Sequence, residues 1–446
     1  MIYFLLLYLL ILATIAFYSF RKISTFSDFF IARKSGSYYS VTGSLIATIL
    51  GGSAVIGSID AGASMGWATA WYMLCAALGL LAVLPLLNKI STLGRFTLPE
   101  LLEDIYGAKA KNFASLIIPV AWLGIIAAQI IAAAKILQSF LPVDYTMGVI
   151  ITGFVFIGYT IAGGQISILK TDFVQSMLIV AGLILAGAFA FAHKEAYSVP
   201  TFDFPFNEQF KPFDLFILVI TYSTTFTAGP DIYSRIFCAE SKETARRSII
   251  TTAIILVPIA FVIGYLSVFG TGVAGIESGT GTRLTDIGVR VLPAWLLPLV
   301  VLSLLSAVLS SADTSMLSAS IIITDFFDKN NFSLASIFKT RVVIVVIGAL
   351  SILIALKFTS IIGVLLLALS VYAGAFVVPV ILGLAGVKVK PMFVSIAIVS
   401  GGVLALAGKI MVARGLYLHG NGVIISAFLV NFLIMIIGRK RSRSVY

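Results

Sequence analysis

The chain has 446 residues, 60% of them hydrophobic and only 11% charged, and its mean hydropathy is +1.09; soluble globular domains carry about 25% charged residues. This composition excludes a soluble globular fold and marks an all-α integral membrane protein, because long apolar runs satisfy their backbone in lipid as helices. The net charge of +11 does not by itself imply a nucleic-acid partner, since the basic residues fall at one set of joints between apolar runs.

A hydrocarbon core of about 30 Å takes about 20 helical residues to cross. Thirteen apolar runs fit that length, at approximately 2–20, 38–60, 67–88, 113–140, 145–163, 172–193, 213–237, 248–270, 294–323, 337–357, 360–385, 391–411 and 419–438. The first run lacks a basic leader and a small-residue cleavage site, and Arg21 and Lys22 follow it directly, so it reads as a retained helix.

Alternate joints hold Arg21, Lys22, Arg33, Lys34, Lys89, Arg95, Lys109, Lys111, Lys170, Arg235, Lys242, Arg246, Arg247, Lys329, Lys339, Arg341, Lys388 and Lys390, and the tail adds Arg439, Lys440, Arg441 and Arg443. The opposite joints hold Lys194, Lys211, Arg283, Arg290, Lys357 and Arg414. The asymmetry predicts an N-out, C-in topology. Lys135 and Lys409 fall inside runs, where their long stems let them snorkel to the interface. The joint segment GRFTLPELLEDIYG, with Glu100, Glu103 and Asp104, reads as a solvated connector. Cys75 and Cys238, and likewise His193 and His419, are too scattered for a disulfide framework or a metal cluster.

Two runs are interrupted at corresponding places. The second reads SLIATILGGSAVIG, with Gly51 and Gly52 at its middle; the seventh reads TYSTTFTAGPDIYSRIF, with Gly229 and Pro230. Paired glycines weaken a helix and proline removes a donor. The second run opens one set of five and the seventh opens the next, so the sets enter from opposite sides. Broken helices at matching positions of inverted halves point to a transport site at mid-membrane.

The ninth run, SLLSAVLSSADTSMLSAS, is unusually polar. At about 100° per residue, Ala307, Ser310, Ser311, Thr314 and Ser318 share one face. Small hydroxyl residues also serve helix packing, which accounts for Ser318 and Ser320. Asp313 is different, because a carboxylate in the membrane costs about 2.5–3.5 kcal/mol on insertion scales. Paired hydroxyls with carbonyls freed by a broken helix form an oxygen site suited to a hard cation such as sodium.

The stretches SLLSAVLSSADTSMLSASIIITDFF, YTIAGGQISILKTDFVQ and AGPDIYSRIFCAESKETARRS together resemble the sodium/solute symporter family, in its bacterial proline-symporter-like branch. The resemblance implies a LeuT-type fold of two inverted five-helix repeats. An added N-terminal helix would occupy 1–37, the first repeat 38–193, an outer joint 194–212, the second repeat 213–385, and two further helices with a basic tail 386–446. It implies a sodium site made by the carbonyls of Ala47, Leu50 and Ala307 and the hydroxyls of Ser310 and Ser311. Asp172 matches an acidic position tied to sodium release or a second sodium site, with Asp313 and Thr314 as its other half; an interfacial charge beside Lys170 is the alternative for Asp172. The solute pocket implied is Gly51, Gly52, Ser53, Ala54, Tyr72, Thr225 and Phe226. Gln129, the one amide in AWLGIIAAQIIAAAK, either joins that pocket or bonds across a helix interface. Ile49 and Met73 depart from the polar or acidic residues that relatives carry, which weakens a sugar or sialate reading.

The expected function is sodium-coupled import of a small organic solute across the plasma membrane by alternating access. Sodium is the only metal, with no organic cofactor. The half-helix N-termini and small apolar walls favour a compact, carboxylate-bearing or amino-acid-like solute. The partners are that solute, sodium and the bilayer, with no nucleic acid, and the oligomeric state is open. Two other readings fit the same residues. One is proton coupling through Asp172 and Asp313; the other is a solute-sensing receptor without net transport, although no signalling domain follows GRKRSRSVY. Nothing in the sequence resembles a nucleophile and base pair, so an enzyme is not expected.

Overall fold

In a computed structural model, the described residues are 2–21, 23–93, 96–197, 199–201, 203–273, 282–328 and 333–440. Their regular structure is helical. Lys22, Arg95, Lys329, Arg441 and Arg443 of the basic joints lie outside them.

Among the described residues, twelve helical stretches are long and apolar enough to cross a membrane. One of them, Tyr145–Ala192, runs for 48 residues, about 72 Å at 1.5 Å per residue, more than twice a hydrocarbon core. It turns at Gly164, whose φ of 53° and ψ of −167° are non-helical. The fifth and sixth runs are therefore two candidate crossings joined at one residue, which makes thirteen candidates among the described residues. The sequence leads one to expect a polar joint over 164–171. Helix continues there instead, because Gln165, Ser167, Thr171 and Asp172 are buried and Tyr159 donates to Thr171 at 2.6 Å. Gly164 is required twice over: its backbone region is nearly closed to other residues, and a Cβ would lie 2.6 Å from the Phe29 ring.

Burial sorts the crossings into centre and periphery. The second is 94% buried and the ninth 78%, whereas the first and last are each 28% buried. Peripheral helices carry exposed Leu, Phe and Ile such as Leu6, Leu10, Leu429 and Phe432, as a lipid-facing surface requires. The ninth crossing, Leu297–Asp328, packs against Ala108–Phe140, Tyr145–Ala192 and both halves of the second. The core is thus built around its hydroxyl face.

Three sequence expectations at the basic joints change. Arg235 lies inside helix Pro230–Cys238 and is 0% exposed. Lys111 is also buried, with its ammonium 3.0 Å from Glu103 and 3.1 Å from Asp325. Helix Leu98–Tyr106 is no solvated connector: Thr97 and Glu100 form a reciprocal capping box, and both are buried. Glu100 accepts from the amides of Phe96 at 2.7 Å and Thr97 at 3.2 Å. Burial, reinforced by the Asp325 charge, raises its carboxyl from the ordinary 4.5 to about 7.

Two outcomes follow. Gly164→Ala should lower stability by about 1–3 kcal/mol, read as a lower midpoint in thermal unfolding of the detergent-solubilised protein; an unchanged midpoint would refute the turn. Because the Glu100 pKa is raised on folding, the folded state holds more protons between pH 4.5 and about 7, so stability falls as pH rises through that window and stays low above it. Glu100→Gln, which keeps an acceptor for the cap, should therefore raise the unfolding midpoint at pH 8 and leave it nearly unchanged at pH 5. Equal shifts at both pH values would show that Glu100 is not held in this way.

Candidate functional site

The second crossing is two helices, Tyr38–Ile49 and Gly52–Asp60. Leu50 (φ −77°, ψ 40°) and Gly51 (φ −61°, ψ 153°) form the break. The amides of Ala54 and Val55 both donate to the Gly51 carbonyl, so helical bonding restarts beyond Leu50. Glycine is needed because the ninth crossing presses against the break. A Cβ on Gly51 would lie 2.3 Å from the Ser311 hydroxyl, and one on Gly52 would lie 2.8 Å from Val308.

The seventh crossing breaks between Thr224–Thr227 and Pro230–Cys238, at Ala228 and Gly229. Two tyrosines satisfy carbonyls freed there: Tyr372 donates to Ala228, and Tyr233 donates to Thr227 at 2.9 Å. Upstream, Val219–Ser223 is a π-helical turn, a local widening common at functional sites.

Where the ninth crossing meets the first break, oxygen atoms converge. Ser310 Oγ lies 3.0 Å from the Ala47 carbonyl and 3.2 Å from that of Ala307. Ser311 Oγ lies 3.0 Å from the Thr48 carbonyl and 3.5 Å from that of Ala47. Leu50 is fully buried in the same break. Of the five residues expected around sodium, Ala47, Ala307, Ser310 and Ser311 are therefore brought together, and Leu50 lies in the adjoining break. Thr48 was not anticipated; it adds a carbonyl and a buried hydroxyl without a hydrogen-bond partner.

A cavity of about 80 Å³ opens beside these oxygens, between the two breaks. Gly51, Ser53, Ala54, Gln129, Thr225 and Phe226 line it, as does Ser311. Gln129 lines the cavity and also grips the half-helix start across the helix interface: Nε2 donates to Ser53 Oγ at 2.7 Å and Oε1 accepts from the Ser53 amide at 3.0 Å. Gly52 and Tyr72 are absent from the lining. Gly52 is covered by Val308, and Tyr72 stands one layer back, edge-on to Tyr222 at 5.5 Å. The wall also contains Trp122, Tyr222 and Asp231, which sequence reasoning did not select. The Asp in AGPDIYSR was the available signal, an acid immediately after the Gly–Pro break.

Asp172, Asp313 and Thr314 are buried, with the two carboxylates 0% exposed. Asp172 is paired with Arg235 at 3.1 Å and accepts from Ser44, so it is no interfacial charge beside Lys170. Arg235 donates further to Ser44 at 2.9 Å, to Ser234 at 3.0 Å and to Thr314. One oxygen of each carboxylate, Asp172 Oδ1 and Asp313 Oδ2, is buried without a hydrogen-bond partner. Two acids thus face one guanidinium, and among the described residues no ion pair engages Asp313.

Comparison with known proteins agrees with this architecture. By structure, the chain is similar to a substrate-bound, outward-open Na+-coupled sialic acid symporter, with a TM-score of 0.76 and 17% identity over 98% of both chains. It is also similar to Mhp1, a nucleobase-cation-symport-1 family transporter, with a TM-score of 0.59 and 15% identity over 92% of this chain and 94% of that one. The fold is the LeuT type. By sequence, it is similar to the high-affinity proline transporter PutP of Bacillus subtilis, 27% identical over 188 residues, which is 40% of each chain. The osmoregulated proline transporter OpuE of the same organism is 24% identical over 44% of this chain and 42% of its own. The alignments thus span about two fifths of these relatives. The model of the sodium:solute symporter family matches residues 29–390, most of the length and both breaks, and the chain belongs to that family.

Proposed function

We propose that the protein is a sodium-coupled symporter that imports a small organic solute across the plasma membrane, with the N-terminus outside and with repeats over 38–193 and 213–385. The observation that carries this reading is the shared wall: Ser311 reaches the carbonyls of the broken second crossing on one side and lines the cavity on the other. The names of the similar proteins, proline transporters and a Na+-coupled symporter, favour the same reading.

The chemistry follows from the oxygens. A dehydrated cation needs several hard oxygen donors, and the carbonyls of Ala47, Leu50 and Ala307 with the Ser310 and Ser311 hydroxyls supply them. Ser310 donates to the Ala47 carbonyl and Ser311 to that of Thr48; a sodium ion between them would be met by the hydroxyl lone pairs. Sodium thereby fastens the ninth crossing to the first break and fixes the Gly51 side of the cavity. Solute binding orders the same residues, so each ligand raises the affinity for the other. Inward passage of each sodium gains about 2.3 kcal/mol per 100 mV of membrane potential. That free energy drives solute uptake.

The acid pair supplies the second element. Asp172 and Asp313 against Arg235 leave a negative charge that a second sodium or a proton would balance, and Thr314 stands between them as a further oxygen. In this reading the cluster is a way station for cation release. Its buried ion pair is costly to break from one side.

In proteoliposomes, Ser310→Ala combined with Ser311→Ala should lower apparent sodium affinity for uptake at least about tenfold, the loss expected when two of five donors go. Sodium dependence that survives the double substitution would exclude this site. For the acid pair, Arg235→Gln alone should destabilise by about 3–5 kcal/mol, whereas Asp172→Asn with Arg235→Gln should recover much of that. A double-mutant cycle in thermal unfolding with a coupling near zero would contradict the pairing.

A further inference from the structure

The sequence leads one to expect a solute carboxylate held by two half-helix N-termini. The second of these carries an acid of its own. Helix Pro230–Cys238 starts with a proline, which has no N–H to offer, and its first turn carries Asp231. The Asp231 carboxylate borders the cavity and is the only charged group among its lining residues. Trp122 Nε1 donates to its two oxygens at 3.0 and 3.1 Å, and Ser315 reaches it at 3.4 Å. Among the described residues no ion pair includes Asp231. Arg235, one turn on, gives its guanidinium nitrogens to Ser44, Ser234, Asp172 and Thr314. A carboxylate therefore faces the cavity with neutral hydrogen-bond donors and no ion pair, the Arg235 charge acting on it only from a distance.

From this placement we infer that the transported solute carries a positively charged nitrogen that seats against Asp231. The inference rests on the reading of this cavity as the solute site and narrows that reading to ammonium-bearing solutes, whether amines or zwitterions. A sodium ion is a poorer occupant, because beside Asp231 the cavity offers few oxygens: Trp122 is a donor only, and Ile125, Ile232 and Leu369 are hydrocarbon. A substituted ammonium needs one or two acceptors and gains from aromatic faces, which Trp122, Tyr222 and Phe226 supply. Tyr222 and Phe226 stand edge to face at 5.1 Å, forming a continuous wall for the carbon skeleton. At the other end, Gln129, whose amide nitrogen carries a second hydrogen besides the one given to Ser53, suits the carboxylate of a zwitterion.

The test is thermal unfolding of the purified full chain, in sodium and in potassium, with three matched pairs of probes. L-Alanine is set beside L-lactate, L-proline beside its ring-ether analogue, and choline beside the isostere in which carbon replaces nitrogen. Binding to the folded state raises the midpoint. The expected result is that sodium by itself raises the midpoint, and that in sodium at least one probe with a charged nitrogen raises it further while its partner without that nitrogen does not. Asp231→Asn should weaken that probe at least about tenfold and erase the discrimination, with the sodium-only shift retained; Asp231→Glu should keep the preference and guards against a folding defect. Equal shifts within every pair, discrimination that survives Asp231→Asn, or a sodium shift to which no nitrogen cation adds would overturn the inference and leave sodium coupling standing. Loss of the sodium-only shift in Asp231→Asn would overturn it by making Asp231 a sodium ligand. No shift with sodium or with any probe would overturn the symport reading itself, and this inference with it.

Discussion

The structure depends on carbonyl groups set free inside hydrocarbon. A break in a membrane helix exposes backbone acceptors that water cannot reach, and each costs several kcal/mol unless it finds a partner. Here the partners come from the ninth crossing: Ser310 and Ser311 donate to Ala47 and Thr48. The same requirement shapes the other break, where Tyr372 and Tyr233 cover Ala228 and Thr227. The two solutions differ in kind. Tyrosine hydroxyls are held by large rings packed in the core, with Tyr372 against Trp122 at 4.9 Å, whereas serine hydroxyls rotate freely and exchange a carbonyl for a cation at small cost. A break capped by serine is suited to bind an ion, and one capped by tyrosine is suited to hold its shape.

Close approach is the second consequence. Gly51 and Gly52 let the ninth crossing come within contact of the break, since any side chain there would overlap Ser311 or Val308. Gly79 does the same for the seventh crossing, where a Cβ would lie 2.0 Å from the Ser223 carbonyl, and Thr227 donates to the Gly79 carbonyl at 3.0 Å. Oxygen sites in a membrane are thus built where backbones meet, and small residues decide where that happens.

Much of this was legible in the sequence, and the reasons differ by feature. The crossings follow from hydropathy alone, the breaks from Gly–Gly and Gly–Pro, and the hydroxyl face from helical spacing. Charge was harder to read. Arg235 sits in a stretch rich in cations, and by position it looks like a topology signal; only the fold shows that Asp172, 63 residues away, meets it in the core. Glu100 likewise resembles a solvated residue until helix Leu98–Tyr106 is seen to be buried. Pairing across the chain leaves no local periodicity, so composition assigns such residues to the surface. Tyr72 does not line the cavity for another reason: Tyr222 stands in front of it, and layer depth is set by packing rather than by spacing.

The arrangement of charge also explains how one bundle keeps its two buried acidic positions distinct. Arg235 lies on the same short helix as Asp231, one turn further on, and turns its guanidinium away from the cavity toward Asp172. Its charge therefore compensates the acid of the deeper cluster and leaves Asp231 facing the cavity without an ion pair. Had the guanidinium folded back toward Asp231, the cavity would be neutral and Asp172 would remain as an uncompensated buried charge, a state costing several kcal/mol. The preference is enforced by Ser44 and Thr314, which hold the guanidinium in place from the second and ninth crossings. Those are the crossings that the serine hydroxyls join to form the proposed sodium site. A shift between them on sodium binding or release therefore acts on the Arg235 contacts as well, and through the same helix on the acid that borders the cavity.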